Sequence, residues 1–308
     1  MRELGEQPEA VVPRTEWLTT SDGVTLRVRR FGQPFAPTVV CVHGFPDNSD
    51  LWNRVVPLLA DRFQVVTYDV RGAGESTAPP RRAGYLIDQL VADLAAVVEL
   101  VGADRPVHLL GHDWGSIQCW HGVTDDRLQG RIASFTSISG PNLDHAGYWM
   151  RSQLRPNLAA LGQFLRQASS SLYIGFFVLP VLPELAVRKG ILGRIIGRLV
   201  RAEYAPDGPA ERFRVEAADA VHGLGLYRAN MLSRLGRPKP RCTDVPVQVI
   251  APDADRFVGT PLQTEVSRWA PRLRVRRLRG GHWLPRSRPA VVAEVAGEFF
   301  EEVDGALK

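Results

Sequence analysis

The sequence predicts an α/β fold in which a mostly parallel β-sheet is covered by helices, and three observations predict it. Up to about residue 142, segments typical of strands alternate with segments of helical periodicity. Residues 38–42 (TVVCV) form a continuous, mostly β-branched run, which is typical of a strand buried on both faces. Residues 143–235 are helical and Arg-rich, and strand-like sequence resumes after them.

The elements can be placed in chain order. Residues 1–14 read as an irregular leader, and the helices outside the Arg-rich stretch are predicted at 51–59, 86–101, from Trp114 onward and at 291–303. We predict a core domain of residues 1–142 and 236–308, with residues 143–235 inserted as a helical cap domain. Eight strands are predicted, at residues 16–20, 24–30, 38–42, 63–68, 107–110, 132–137, 245–250 and 272–278.

Composition excludes several classes of protein. The chain has 308 residues, 44% hydrophobic and 23% charged, which is ordinary for a globular protein. Three cysteines, none in CxxC spacing, argue against a disulfide scaffold, and no metal site is predicted. The first ten residues are polar and no apolar run approaches the ~20 residues of a membrane span, so we expect a cytoplasmic protein. The net charge of +5 comes without any nucleic-acid-binding motif.

The strongest local motif is Gly111-His112-Asp113-Trp114-Gly115, which follows a predicted strand and opens a predicted helix. This is the pattern of a sharp strand-to-helix turn that exposes a nucleophile, with small residues on either side because the turn is crowded. The usual nucleophile is Ser, but here it is Asp113. A carboxylate at a helix N-terminus needs no base to activate it, and it can attack carbon to form an alkyl ester. The alternative is a simple helix cap.

A second motif, His43-Gly44-Phe45-Pro46, directly follows the 38–42 strand. Backbone N–H groups in this loop can face the Asp113 turn. With the N–H of Trp114, the N–H of Phe45 would form an oxyanion hole, and Phe45, Pro46 and Trp114 would contact substrate. A merely rigid Gly-Pro loop is the alternative.

Two later motifs supply a base and an acid. His282 stands in a Gly-rich loop, Gly280-Gly281-His282-Trp283, after the last predicted strand, which suits a general base. Asp253 and Asp255 follow the strand at 245–250, and one of them should orient His282. Asp255 is preferred because the segment then reads strand, turn, acid, one residue, aromatic residue, Val. His108, His121 and His222 are interpreted as structural.

With these motifs the chain resembles the α/β-hydrolase superfamily, and within it the epoxide hydrolases, over about residues 15–303. HGFPD, GHDWGS and GGHW stand where that family has its oxyanion loop, nucleophile turn and base. The segments HDWGS, ASFTSISGPNLDH and VPVQVI most resemble the hydrolase part of EphD-type epoxide hydrolases. In those enzymes a short-chain dehydrogenase follows; no GxGxxG occurs here, so that second activity is not expected.

The resemblance also implies a role for two cap tyrosines that donate to the epoxide oxygen. Tyr173 begins a Tyr-x-x-x-Phe-x-x-Pro segment, and Tyr227 begins Tyr-Arg-Ala-Asn-Met. A phenol of pKa ~10 is protonated at neutral pH, so it can donate as charge develops on the oxygen. Both tyrosines could instead be core aromatics of the cap.

The predicted function is hydrolysis of a lipophilic epoxide to a vicinal diol without a cofactor. Asp113 would attack the less hindered carbon, and water activated by His282 and Asp255 would cleave the ester. A haloalkane dehalogenase, with the Trp114 indole holding the halide, is the alternative enzyme. A non-catalytic small-molecule receptor on the same scaffold is the alternative from another class. No nucleic acid partner is expected, and the oligomeric state, monomer or homodimer, is left open.

Two Arg-rich segments have alternative interpretations. In residues 188–201, Arg194, Arg198 and Arg201 are expected on one helix face and Ile191, Ile195 and Leu199 on another. Such a helix can touch a membrane surface, but a cap helix with a solvated face is the simpler interpretation. Alternating arginines in residues 272–276 are expected to guard an edge strand against aggregation.

Overall fold

A computed structural model describes residues 12–102, 105–204 and 213–306. Its centre is an eight-stranded sheet with the order β1-β2-β4-β3-β5-β6-β7-β8, antiparallel at β1, β2 and β4 and parallel elsewhere. This confirms the predicted fold class. The strands are β1 (Arg14–Thr19), β2 (Thr25–Phe31), β3 (Thr38–Val42), β4 (Gln64–Tyr68), β5 (Val107–His112), β6 (Ile132–Ile138), β7 (Val247–Pro252) and β8 (Leu273–Leu278).

The middle of the sheet is the most deeply buried part of the molecule. Every residue of β4, β5, β6 and β7 is buried, because helices cover both faces of the sheet. Among the described strands β8 pairs with β7 alone, at the end of the sheet, and it is half-buried to exposed, with Arg276 and Arg277 among its exposed residues. The charged edge strand predicted from the sequence is therefore present.

Six helices outside the insert accompany the sheet in the described residues. They are α1 (Val56–Leu59), α2 (Ile87–Val101), α3 (Trp114–Gly122), α10 (Thr260–Thr264), α11 (Leu284–Ser287) and α12 (Pro289–Ala306). The single helix expected at 51–59 was wrong. The segment splits into a 3-10 turn, Ser49–Trp52, and the short α1, because Pro57 has no N–H for a helix passing through it. Of the expected leader, residues 1–11 lie outside the described residues, and Arg14 already belongs to β1.

The stretch between β6 and β7 contains helices and, in its described residues, no strand. They are α4 (Leu143–Gln153), α5 (Leu158–Ser170), α6 (Leu172–Val178), α7 (Leu182–Arg188), α8 (Ile191–Arg201) and α9 (Ala217–Gly236). We interpret this stretch as the cap.

The long helix α9 fastens the cap over the carboxyl ends of the strands. The Asn230 amide donates to the carbonyl of Tyr85 and accepts from the N–H of Ile87, both at 2.8 Å. Two turns away, a Cβ on Gly223 would lie 2.5 Å from the ring of Phe45, so α9 can approach the loop after β3 only with glycine there. This close approach sets the height of α9 above the sheet.

In the part of the chain that the structure describes, no single helix has the length and apolar character of a membrane span. Two cap segments, Leu158–Val178 and Leu182–Arg188, reach that length and apolar character only when taken together, and the chain bends by 91° between them.

Candidate active site

Asp113 occupies the tip of a sharp turn between β5 and α3. Its backbone has φ 52° and ψ −123°, a conformation that is strained for any residue with a side chain. The turn can form only because its flanks are small: a Cβ on Gly115 would lie 2.1 Å from the carbonyl oxygen of Val42. The Asp113 side chain is thereby held at the N-terminus of α3, above the centre of the sheet.

The loop after β3 approaches the same carboxylate. The N–H of Phe45 donates to Oδ1 of Asp113 at 2.7 Å. A Cβ on Gly44 would lie 2.3 Å from that oxygen and 2.5 Å from the backbone nitrogen of Trp114, the first residue of α3. The N–H groups of Phe45 and Trp114 therefore border the same small space beside Asp113.

His282 lies between two carboxylates. Its Nδ1 is 3.2 Å from both oxygens of Asp255, and its Nε2 is 3.6 Å from Oδ2 of Asp113. Asp253 does not contact this ring, because its carboxylate accepts a hydrogen bond from the N–H of Gly280 at 3.1 Å. Of the two carboxylates considered in the sequence, Asp255 is the one that contacts His282.

Asp113, His282 and Asp255 form a row of ionisable groups, and neighbours in this row shift each other's pKa. Burial alone would lower the pKa of His282, but the carboxylates of Asp255 and Asp113 outweigh it and raise that pKa well above its usual value. Burial alone would raise the pKa of Asp255. His282 and the amide N–H groups of Phe257 and Val258 outweigh that effect and lower it. The two carboxylates therefore favour the protonated form of the imidazole in the free protein.

The backbone of His282 is fixed by two side chains that the sequence did not single out. The Nε2–H of His112 donates to the carbonyl of His282 at 2.8 Å, and burial lowers the pKa of His112 to about 4, which keeps it neutral. From the cap, the carboxylate of Glu203 accepts the N–H groups of His282 and Trp283 at 2.9 and 2.8 Å. Burial raises the pKa of Glu203.

Asp47, in the loop after β3, holds the residues that follow His282. It accepts from the indole N–H of Trp283 at 3.0 Å and from Arg286 at 2.7 Å. The sequence held a signal for Asp47, which completes the HGFPD motif, and for His112, which precedes Asp113. It held none for Glu203, which is 79 residues from His282.

Tyr173 and Tyr227 bring the cap into the site. Tyr173 belongs to α6 and Tyr227 to α9, and their ring centroids are 6.1 Å apart. Together with Asp113 and His282, both line a cavity of about 260 Å³. Burial raises the pKa of both phenols well above its usual value, and the Asp113 carboxylate raises it further. Both tyrosines are therefore hydrogen-bond donors at neutral pH.

The rest of this cavity is almost entirely apolar. The other side chains that line it are Phe45, Pro46, Phe176, Phe177, Leu192, Ile195, Ile196, Leu199, Phe257 and Trp283. A second cavity of about 120 Å³ lies on the other side of the site and shares Asp113, Tyr173, Tyr227 and Phe257 with the first. The carboxylate and the two phenols thus stand between two apolar spaces.

The residues singled out in the sequence therefore meet at one place. Asp113, His282, Asp255, Tyr173 and Tyr227 surround the first cavity or touch a residue that does, and Phe45 and Trp114 flank the carboxylate. The histidines interpreted as structural lie elsewhere. His108, for example, contacts Ser134 and Asp304 at the opposite end of β5.

Comparison with known proteins agrees with this architecture. The family model described as the alpha/beta hydrolase fold matches residues 37–285. The chain therefore belongs to the α/β-hydrolase family. A crystal structure of the Bacillus megaterium epoxide hydrolase superposes with a TM-score of 0.75 at 22% identity, covering 93% of this chain and all of that one, and so shares the fold.

Two relatives from Mycobacterium tuberculosis lie nearer in sequence. The chain is 38% identical over 295 residues to a protein named probable oxidoreductase EphD, covering 92% of this chain and 49% of EphD. It thus spans about half the length of that relative. It is 33% identical over 246 residues to epoxide hydrolase A, covering 80% of this chain and 69% of that protein. The predicted resemblance to EphD and to epoxide hydrolases is confirmed.

The row of charges gives a prediction that does not depend on the reaction. In Asp255→Asn the pKa of His282 should fall by about 1–3 pH units, because a carboxylate that stabilises the imidazolium becomes neutral. An NMR titration of the histidine ring signals measures it. The matched control is Asp253→Asn, which removes a carboxylate from the same loop without touching the ring. Equal shifts in the two variants would contradict the arrangement.

Proposed function

We propose that this protein hydrolyses epoxides to vicinal diols through an alkyl ester on Asp113. The observation that carries the proposal is the Asp113 carboxylate at the strained turn, together with two protonated phenols that line the same apolar cavity. The similarity to epoxide hydrolase A supports it. A receptor would not need a carboxylate, an imidazole and an orienting acid in one row, as found here.

In the first step an oxygen of Asp113 attacks one epoxide carbon. The bond between that carbon and the epoxide oxygen breaks, and an ester bond to Asp113 forms. Tyr173 and Tyr227 hydrogen-bond to the departing oxygen and supply the proton that converts it to a hydroxyl group. Two converging donors stabilise the developing negative charge in the way that an oxyanion hole does in acyl transfer.

In the second step water cleaves the ester at the carboxyl carbon of Asp113. His282 takes a proton from the water, Asp255 holds the imidazole in position, and the N–H groups of Phe45 and Trp114 stabilise the oxyanion. The first step prepares His282 for this task. Once Asp113 is an ester, only Asp255 still stabilises the imidazolium, so the pKa of His282 falls and the neutral ring can accept the proton of the water. The bond between the carboxyl carbon and the diol oxygen then breaks, and that oxygen takes the proton from His282. The second proton of the water restores the phenol that donated in the first step, and Asp113 is again a carboxylate. Substrate and water supply every atom of the product, and no cofactor takes part.

The substrate class follows from the two cavities. Because apolar spaces adjoin Asp113 on both sides, we propose an epoxide that carries an apolar group on each of its two carbons. The larger group would occupy the cavity of about 260 Å³ and the smaller group that of about 120 Å³.

The covalent route makes a prediction about the origin of the new oxygen. In a single turnover in heavy-oxygen water, with enzyme in excess, the diol should carry no label, and the label should enter the peptide that contains Asp113. Mass spectrometry of the diol and of the peptide measures both. Label in the diol at the first turnover would mean that water opens the epoxide directly, and release of halide from a chloroalkane would instead support a dehalogenase.

The two phenols make a prediction about rate. Tyr173→Phe and Tyr227→Phe should each slow alkylation of Asp113, and the double variant should slow it by about 10²–10⁴-fold, since general-acid assistance is lost. Stopped-flow measurement of the alkylation phase tests this. Tyr148→Phe is the matched control, because Tyr148 packs against Trp269 outside both cavities. An unchanged rate in the double variant would assign both tyrosines to packing alone.

The paired cavities make a prediction about specificity. The value of kcat/KM should be higher for an internal epoxide with an alkyl group on each carbon than for a terminal epoxide of the same chain length. Filling the smaller cavity with Ala146→Phe should reduce that preference and spare terminal epoxides, because Ala146 lines only the smaller cavity. A panel scored for diol formation measures both values. Equal kcat/KM values in the unaltered protein would contradict the substrate class but leave the reaction itself in place.

A further inference from the structure

Three consecutive cap helices, α6, α7 and α8, expose large apolar side chains. Single exposed apolar residues are ordinary, but a group on neighbouring helices marks a surface that meets an apolar partner. We call this surface the apical face. It comprises eight side chains that are 37–73% exposed: Leu172, Phe176, Leu179, Val181, Leu182, Leu185, Ile191 and Ile195.

Packing of the cap does not require these residues. α8 packs against the protein through one stripe of buried side chains, Leu192, Ile196 and Val200. Ile191 and Ile195 are exposed, and so are the arginines of α8. The solvent side of α8 therefore combines apolar and cationic side chains.

Val181, between α6 and α7, is a second sign that this face is not shaped by folding alone. It is 62% exposed and has φ 66° and ψ −47°, with the N–H of Leu182 donating to the carbonyl of Pro180 at 2.7 Å. This is the strained three-residue turn that favours glycine and is unfavourable for a β-branched residue. Val181 is thus unfavourable for the backbone conformation of this turn, and its exposed side chain adds little to the buried core.

The charge of this region is unusual for the chain. Residues 158–201 contain six Lys or Arg and a single acid, Glu184, whereas the rest of the sequence holds 32 of each sign. The whole net charge of +5 therefore resides here. Glu184 is already paired with Arg228. Four exposed cations, Arg188, Lys189, Arg194 and Arg198, form no ion pair with any acid that the structure describes.

The apical face is continuous with the substrate cavity. Phe176 and Ile195 belong to the face, and both also line the cavity of about 260 Å³ that contains Asp113. A compound dissolved in an apolar phase against this face would thus be next to the cavity wall without crossing water.

We propose that the apical face binds the surface of an anionic lipid bilayer. Apolar side chains would enter the boundary between headgroups and acyl chains, while the long arginine and lysine side chains reach the anionic headgroups. A second copy of the chain fits this face poorly, because a symmetric pairing would set one cluster of exposed cations against another. The binding does not depend on the reaction proposed above.

Vesicle flotation with the full chain tests the proposal. The protein should float with vesicles made of equal parts phosphatidylcholine and phosphatidylglycerol, and binding should be weaker at high salt and to vesicles of phosphatidylcholine alone. Asp113→Asn, which removes the nucleophile, should bind as the unaltered protein does. Failure of the epoxide reaction would therefore leave this result standing, and failure of flotation would leave the reaction standing.

Two variants separate the contributions to binding. Val181→Gly should reduce vesicle binding several-fold without lowering the melting temperature, because glycine relieves the strained turn while the apolar side chain is lost. The triple variant Arg188→Gln, Arg194→Gln, Arg198→Gln should reduce binding at least tenfold. Its matched control is Arg272→Gln, Arg277→Gln, Arg279→Gln, which removes the same charge from the region of the exposed edge strand β8.

Three results would overturn the proposal. One is the absence of flotation with anionic vesicles. Another is an equal loss of binding in the two triple variants, which would reduce the effect to total charge. The third is a dimer in light scattering that Val181→Gly converts to a monomer, which would assign the apical face to self-association.

Discussion

The site depends on one constraint, which is that a carboxylate is held almost out of water at a strained turn. Asp113 is 8% exposed, and a charge so placed must be met by hydrogen bonds or by opposite charge. The structure meets it with the N–H of Phe45 and with the imidazole of His282, which come from loops at the ends of β3 and β8. Two segments that are far apart in the chain are thereby fixed around one side chain.

The surrounding polar groups stabilise those two loops. Asp47 joins the loop after β3 to the loop that carries His282, and His112 ties the His282 loop to the residue before Asp113. Glu203 does the same from the cap, through two backbone N–H groups. Because the row of Asp113, His282 and Asp255 tolerates little displacement, these contacts are part of the site although none of them faces the cavity's centre.

The cap has two different surfaces, and each is apolar for its own reason. The inner surface supplies Tyr173, Tyr227 and the aromatic wall of the cavity, where a low local dielectric strengthens hydrogen bonds. The outer surface, the apical face, exposes large apolar side chains among exposed cations. Phe176 belongs to both surfaces, so the cap is thin where the cavity meets the exterior.

Much of the fold and of the site could be predicted from local sequence. Strands such as Thr38–Val42 are recognisable because a strand buried on both faces has to be apolar throughout. The turn at Asp113 is recognisable because its crowded backbone requires glycine at Gly111 and Gly115, two residues before and two residues after the aspartate. The break at residues 53–55, just before the helix that contains Pro57, was not predicted.

What the sequence by itself determined is the order of the strands and helices and the chemical types of the central residues, because both follow from spacing within short segments. Only the tertiary structure decided the distances between those segments, and with them the contact of Asp255 with His282, the contacts of Glu203 and the second cavity. It also decided which side of α8 meets solvent. Each of these depends on packing between residues far apart in the chain, and such packing has no periodicity that a single sequence could display.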